Sequence, residues 1–271
     1  MRRLSELQAP ALAGVIREET AIKAIAEIKN CFYDGANMID LHMSCLHDTS
    51  VENLRTIIQS TKLPILALNY NTKYNNSSAC LSEEERVDTF FRAIEAGAAG
   101  VDIQAYTYHL PSKNEFCGED KYSFTKGNPK EIVTDESIIE KQCELIERIH
   151  GMGGEVLLSC HPFIPMKSDQ VVDLALFLEK RKPDIIKIVT YANTDEDMIE
   201  SVKTMLELKK AVKTPVSYHA TGEAGKLSRL LNPALGGQIA FCVHDYGGNA
   251  TAGQPELSTA RAVIDGLRKF L

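Results

Sequence analysis

The sequence predicts a single α/β domain with the (β/α)8 barrel, or TIM barrel, fold. Eight short apolar runs alternate with segments of helical spacing along 271 residues, which is the length that eight strand–helix units require. A doubly wound open sheet is the competing fold, but no GxGxxG motif follows the first apolar run. We therefore expect one barrel domain over residues 1–271.

The predicted strands are the eight apolar runs, each bounded by polar or turn-forming residues. They cover residues 10–16, 37–43, 63–70, 100–106, 155–161, 184–190, 215–221 and 238–244. Helices are predicted between and after them, at 20–31, 51–60, 83–95, 136–150, 168–180, 195–212, 225–231 and 255–270. Ser82 and Thr194 each precede a run of acidic residues, which is typical of a helix start.

The connection after the fourth predicted strand, residues 107–135, is far longer than the few residues usual for such a loop. Because it follows the carboxyl end of a strand, it would lie on the face where barrel active sites are built. We expect an active-site lid here rather than an idle insertion.

Composition and charge narrow the class of function. The formal net charge is −7, which argues against nucleic acid or an anionic membrane surface as the main partner, because both require an excess of lysine and arginine. Seven cysteines without a CxxC pair indicate neither a disulfide framework nor a zinc site, and they favour a reduced, cytoplasmic compartment. No stretch reaches the roughly 18 uncharged apolar residues of a membrane span.

Lys187 interrupts the apolar strand PDIIKIVT, where an ammonium group is out of place. Burial generally shifts lysine toward its neutral form, which is a nucleophile for carbonyl carbon. The alternative is a structural lysine that is kept charged by a buried acid such as Asp102 or Asp40. The strand position alone leaves both interpretations open.

Three more polar residues follow the carboxyl ends of predicted strands. His161 ends strand five in SCHPF, beside the strand of Lys187, so an imidazole and an amine could reach one bound molecule. Arg229 follows strand seven in TGEAGKLSRL and suits a carboxylate, and Gln254 lies in the glycine-rich loop after strand eight. Each of them, taken alone, also fits a structural role at the rim of the barrel.

Together, SCHPF, DIIKIVT, TGEAGKLSRL and the AGQ of the last loop resemble the motifs of the type I 3-dehydroquinate dehydratase family. The correspondence covers nearly the whole chain in order and spacing. It implies a (β/α)8 barrel, a homodimer, no metal or other cofactor, and a step of the shikimate pathway, the dehydration of 3-dehydroquinate through a lysine imine.

The resemblance also implies roles for four residues. Lys187 is the imine-forming lysine and His161 the acid–base histidine, whereas Arg229 binds the substrate carboxylate and Gln254 is the glutamine of the last loop. An imine makes the neighbouring carbon acidic, so His161 would take that proton and then protonate the departing β-hydroxyl.

Departures from the family pattern surround the expected substrate. Asp40 and His42 stand where the family has a glutamate and an arginine, Asn69 stands where it has an arginine, and Gln104 stands where it has an acid. The carboxylate that orients the family's catalytic histidine has no counterpart in residues 71–76. We expect these four side chains to contact a small-molecule keto acid that need not be 3-dehydroquinate.

Three functions therefore stay open. The first is a dehydratase acting on 3-dehydroquinate. The second is a divergent imine lyase, or a class I aldolase-like enzyme, acting on another hydroxylated keto acid. The third is a non-catalytic barrel that binds a small molecule.

Overall fold

The computed structural model describes residues 3–70, 81–109, 132–247 and 253–270. Eight parallel strands form a ring in the order β7-β6-β5-β4-β3-β2-β1-β8. They are β1 Ala11–Ile16, β2 Met38–His42, β3 Ile65–Leu68, β4 Gly100–Gln104, β5 Glu155–Cys160, β6 Ile185–Tyr191, β7 Val216–Thr221 and β8 Ile239–Cys242. The Gln238 N–H donates to the Val216 carbonyl at 2.8 Å and joins β8 to β7. The predicted (β/α)8 barrel is confirmed.

The described ranges contain eight α-helices, which surround the strands. They are α1 Ala21–Tyr33, α2 Val51–Ile58, α3 Glu83–Ala96, α4 Glu136–Gly151, α5 Ser168–Glu179, α6 Asp195–Ala211, α7 Ser228–Ala234 and α8 Leu257–Phe270. Ser82 begins α3 with a capping box, in which its hydroxyl accepts from the Glu85 N–H and the Glu85 carboxylate accepts from the Ser82 N–H. Thr194 and Asp197 begin α6 in the same way. The helix starts inferred from the acidic runs are therefore confirmed.

The interior of the barrel is apolar near the amino ends of the strands and becomes polar toward their carboxyl ends. Leu4 and Leu7 pack with residues near the amino ends of the strands, among them Met38, Leu157 and Ile185. Because side chains alternate between the two faces of a strand, the next inward positions are Asp40, Ser159 and Lys187. A polar layer therefore lies toward the carboxyl ends of the strands.

The predicted lid lies mainly outside the described residues, since its residues 110–131 are not described. It stays a prediction, as does the extent of one domain over residues 1–271. In the described parts of the chain, no helix is both long and apolar enough to cross a membrane.

The guanidinium of Arg86 connects α3 to the ends of β3 and β4. It is buried and pairs with Glu83 through contacts of 2.6 and 2.9 Å. The same group donates to the Asn69 carbonyl and to Gln104 Oε1, both at 2.9 Å, and to Thr107 Oγ1 at 3.0 Å. One side chain of the outer layer thus holds two strand ends at the active-site face.

We expect Arg86→Met to lower the free energy of unfolding by about 3–5 kcal/mol, because the buried Glu83 carboxylate would lose its ion-pair partner. Arg92→Met is the matched control on the same helix, since Arg92 pairs with Asp88 at the surface. The control should change stability by less than about 1 kcal/mol. Urea denaturation of both variants measures the difference, and equal losses would contradict the structural role of Arg86.

Candidate active site

Lys187 lies in the middle of β6, beside Ser159 of β5 and Ser217 of β7. Its side chain is only 9% exposed. The Nζ atom donates to Asp102 Oδ2 at 3.2 Å and to the Tyr70 hydroxyl at 2.9 Å. The Phe241 ring of β8 covers it, with 4.3 Å between Nζ and the ring centroid. Of the two acids considered as partners of Lys187, the structure shows Asp102; this ion pair does not by itself decide between a structural and a nucleophilic lysine.

Asp102 collects hydrogen bonds from three side chains. Besides Lys187, the Tyr70 hydroxyl donates to its Oδ2 at 2.7 Å and the Ser159 hydroxyl donates to its Oδ1 at 2.5 Å. Burial, and then the negative charge of Asp102, raise the pKa of Tyr70 well above 10. The phenol is therefore protonated at neutral pH.

Tyr70 is the site residue that sequence reasoning missed. The resemblance led to Asn69, but the Asn69 side-chain amide donates to Thr89 Oγ1 of α3 at 3.1 Å. Strand alternation contains the missing signal, because Leu66 faces the interior core and Tyr70 has the same parity. Substrate binding by Asn69 stays a prediction.

The side-chain amide of Gln104 is only partly hydrogen-bonded within the described residues. Its Oε1 accepts from Arg86, whereas its buried Nε2 has no hydrogen-bond partner in the described parts of the chain. Such a donor costs free energy unless a water or ligand satisfies it.

His161 follows β5 and is buried between two aromatic rings. It stacks on Phe163, with 5.6 Å between ring centroids, and meets the Tyr70 ring edge-on at 5.4 Å. Burial, followed by the positive charges of Lys187 and Arg229, lowers the pKa of His161 well below 6.5. The imidazole is therefore neutral at pH 7 and able to accept a proton.

Two other buried histidines face the same interior. Burial, then the charges of Arg229, Lys187 and His161, lower the pKa of His219 on β7 well below 6.5. His42 on β2 lies 3.4 Å from Asp40, and burial lowers its pKa although Asp40 acts in the opposite direction. Asp40 keeps Oδ1 buried, and no partner for it occurs among the described residues.

Arg229 is the second residue of α7, and the residues just before it fix the position of this helix. The hydroxyl of Ser228 accepts from the Ala220 N–H at 2.9 Å and donates to the Gly225 carbonyl at 2.7 Å. A Cβ on Gly225 would lie 2.9 Å from the Ala220 backbone, so glycine is required there. The helix that carries Arg229 is thus fastened to the end of β7.

The guanidinium of Arg229 has no hydrogen-bond acceptor or carboxylate partner within residues 3–70, 81–109, 132–247 and 253–270. Burial lowers its pKa to about 10, which leaves it charged at pH 7. The loop after β8 reaches it, since a Cβ on Gly253 would lie 4.0 Å from Arg229 Nε. The next residue, Gln254, is buried and its Oε1 lacks a partner in the described ranges.

The structure thus brings Lys187, His161 and Arg229 to one polar interior, with Gln254 on the adjacent loop. Asp40 and His42 face this interior from β2. Within the described residues, no group of three or more His, Cys, Asp or Glu side chains could hold a metal ion. An amine, a neutral imidazole and an unpaired cation suit the capture and deprotonation of a carbonyl compound that carries an anionic group.

Comparison with known protein families shows to which family the chain belongs. A family model described as type I 3-dehydroquinase matches residues 13–269. The chain belongs to the type I 3-dehydroquinase family.

Curated relatives of this type I 3-dehydroquinase chain carry similar descriptions. It is 24% identical over 265 residues to the 3-dehydroquinate dehydratase of Aromatoleum aromaticum, which covers 96% of this chain and 87% of that protein. It is also 24% identical over 251 residues to the bifunctional 3-dehydroquinate dehydratase/shikimate dehydrogenase of Arabidopsis thaliana, covering 91% of this chain but only 35% of that protein.

Solved structures agree on the architecture. The 3-dehydroquinate dehydratase of Geobacillus kaustophilus superimposes with a TM-score of 0.77 at 14% identity, covering 99% of this chain and 96% of that chain. The type I enzyme of Clostridium difficile, with covalently modified comenic acid, gives a TM-score of 0.76 at 14% identity and covers 97% of this chain and 94% of that chain. At this identity the likeness shows the fold alone.

We expect the neutral buried histidines to destabilise the protein in acid. Below pH 6.5 the unfolded chain binds protons on His161 and His219, whereas the folded chain does not. The contribution of these neutral histidines to the free energy of unfolding is therefore fully present above pH 6.5. As the pH drops below 6.5, the free energy of unfolding decreases by about 1.4 kcal/mol per pH unit for each histidine. His219→Gln should reduce this slope by about 1.4 kcal/mol per pH unit, the contribution of one histidine. Urea denaturation between pH 5 and 7 measures the slope.

His244→Gln is the control with the opposite sign. The hydrogen bond to Asp34 raises the pKa of His244. Its stabilising effect is present at low pH and is lost as pH rises through the raised pKa, so this variant should lose more stability at pH 6 than at pH 8. An unchanged slope in His219→Gln would rule out the proposed origin of the acid sensitivity.

Proposed function

We propose that the protein is a hydro-lyase of the 3-dehydroquinate dehydratase kind, which eliminates water from a β-hydroxy ketone acid through an imine on Lys187. The observation that carries this proposal is a buried lysine bonded to Asp102 in the interior that also contains His161 and Arg229, whose guanidinium has no partner among the described residues. Membership of the type I 3-dehydroquinase family supports the same reaction.

The first step requires an unprotonated Lys187. Asp102 Oδ2 lies 3.2 Å from Nζ and is placed to take the ammonium proton. The amine then attacks the ketone carbon, and loss of water from the adduct gives an iminium ion. The iminium draws electron density from the neighbouring carbon and makes its C–H bond acidic.

The second step uses His161 as a base and then as an acid. Its neutral imidazole takes the proton from the carbon beside the iminium, and the C–H electron pair forms an enamine. The enamine electrons then expel the β-hydroxyl, which leaves as water with the proton that His161 returns. Hydrolysis of the product iminium restores Lys187.

The remaining polar groups would bind the substrate. Arg229 would hold the carboxylate, which supplies the anion that its guanidinium lacks in the described structure. Asp40 and Gln254 each present a buried oxygen without a partner in the described ranges, and such oxygens accept hydrogen bonds from substrate hydroxyl groups. We assign His42 and Gln104 to the same shell.

We further propose that the protein acts in the cytoplasm as a homodimer, without a metal or other cofactor. The resemblance to the family supports this assembly and this chemistry. The scattered cysteines support the compartment.

A second candidate function is imine-dependent elimination or aldol cleavage of another hydroxylated keto acid. The placement of Asn69 favours it, because the side-chain amide is bonded to Thr89 and β3 itself, Ile65–Leu68, contains no cation. A panel of hydroxylated keto acids, assayed beside 3-dehydroquinate, separates the two candidates.

Borohydride reduction in the presence of 3-dehydroquinate should attach the ligand covalently to Lys187, as found by mass spectrometry of the intact protein and its peptides. Lys187→Met keeps most of the side-chain volume and should abolish both the adduct and turnover. Lys203→Met, at an exposed lysine, should retain both. Absence of any adduct on the unmodified protein, with 3-dehydroquinate and with the keto acid panel, would overturn both candidate functions.

His161→Gln should still form the adduct but should turn over about 10²–10⁴-fold more slowly, because only proton transfer is lost. In the unmodified enzyme, the acid limb of kcat/KM should lie below pH 6.5, since the pKa of His161 is depressed. The acid limb of kcat should lie at higher pH, because a bound carboxylate offsets the charge of Arg229 that lowers this pKa. Identical acid limbs, or a fully active variant, would contradict the role of His161.

A further inference from the structure

Tyr70 contacts the reacting nitrogen of the proposed mechanism, yet the steps above give it no role. We propose that Tyr70 is a further catalytic residue, which carries protons between Asp102 and the substrate oxygen while the imine on Lys187 forms and breaks. This inference rests on the proposed function and deepens it.

The hydroxyl of Tyr70 has the contacts that such a transfer needs. It lies 2.9 Å from Lys187 Nζ and 2.7 Å from Asp102 Oδ2, and Ser159 Oγ lies 3.4 Å away. A carbonyl carbon attacked by Nζ places its oxygen one bond farther on, within reach of a hydroxyl that already contacts Nζ. Tyr70 therefore connects the nucleophile, the carboxylate and the oxygen that must leave.

The other side chains described around Lys187 Nζ either are hydrogen-bonded elsewhere or have no acidic proton to donate. The face of Phe241 lies on Nζ, and Ser159 donates its proton to Asp102 Oδ1. His161 is assigned to the carbon acid and meets the edge of the Tyr70 ring. In the described structure, Tyr70 contributes the hydroxyl that is hydrogen-bonded to Nζ.

The proton inventory balances with Asp102 as the store. Asp102 first takes a proton from the ammonium, and the amine attacks the carbonyl carbon as the oxygen takes the phenol proton. The phenolate then recovers the surplus proton of the nitrogen, which leaves a neutral carbinolamine.

Loss of water repeats the transfer. The phenol protonates the carbinolamine hydroxyl, the C–O bond breaks, and the nitrogen lone pair forms the C=N bond of the iminium. Protonated Asp102 then returns its proton to the phenolate across their 2.7 Å contact. The net change is ammonium plus ketone to iminium plus water, and no external oxidant, reductant or base is needed.

The alternative is that Tyr70 only orients Lys187. The phenol ring packs against His161, and its hydroxyl fixes Nζ, so a structural role would also affect activity. The test must therefore measure the rate of imine formation and its dependence on the acidity of the phenol.

Tyr70→Phe removes the hydroxyl and keeps the ring. Rapid mixing with 3-dehydroquinate, followed by a borohydride quench at increasing times, should show adduct formation at Lys187 slowed about 10²-fold or more. Tyr218→Phe is the matched control, because Tyr218 is also buried but its hydroxyl contacts Thr190. The control should form the adduct at the rate of the unmodified protein.

Replacing Tyr70 with 3,5-difluorotyrosine keeps the hydroxyl and makes the phenol more acidic. The alkaline limb of the adduct-formation rate should move to lower pH, whereas an orienting role leaves that limb in place. An unmoved limb, or an unchanged rate in Tyr70→Phe, would refute the role of Tyr70 while the adduct on the unmodified protein still supports the imine mechanism. Lack of an adduct on the unmodified protein refutes the imine mechanism and, with it, this inference.

Discussion

The ion pair between Lys187 and Asp102, placed inside the barrel, is the constraint on which the site depends. Asp102 is fully buried, and removing two charges from water costs several kcal/mol for each ion unless other bonds offset it. Tyr70 and Ser159 donate to the carboxylate, and Phe241 covers the ammonium. The barrel interior toward the carboxyl ends of the strands therefore contains a polar layer, against which the apolar ring of Phe241 packs.

The same interior explains how an acidic protein could bind the anionic substrate that we propose. The chain has a net charge of −7, but the charge of Lys187 is balanced by Asp102, whereas Arg229 has no carboxylate partner among the described residues. Burial, and then the positive charges of Lys187 and Arg229, lower the pKa of both histidines beside them, which therefore stay neutral. One unbalanced cation in a buried site attracts a carboxylate more strongly than the same cation at the surface.

The sequence predicted the parts of this site that follow from strand geometry. Lys187 stood out because a charge interrupts an apolar strand, and His161 because it ends the neighbouring strand. Tyr70 was missed although the predicted strand 63–70 includes it, because the family pattern drew attention to Asn69, whose side-chain amide bonds to Thr89 of α3. The packing of Gly225 on Ala220 could not be predicted from the sequence, because it depends on how α7 docks on the end of β7.

The hydrogen bonds of Arg86 connect the outer helix layer of the barrel to the ends of the inner strands. Arg86 belongs to the outer helix α3, yet it binds the carbonyl of Asn69, the residue directly before Tyr70, and the amide oxygen of Gln104. The outer helix α3 therefore helps to position residues of the site and cannot be exchanged without affecting them. A chimaera that took α3 from a relative would bring with it part of the geometry of its reaction centre.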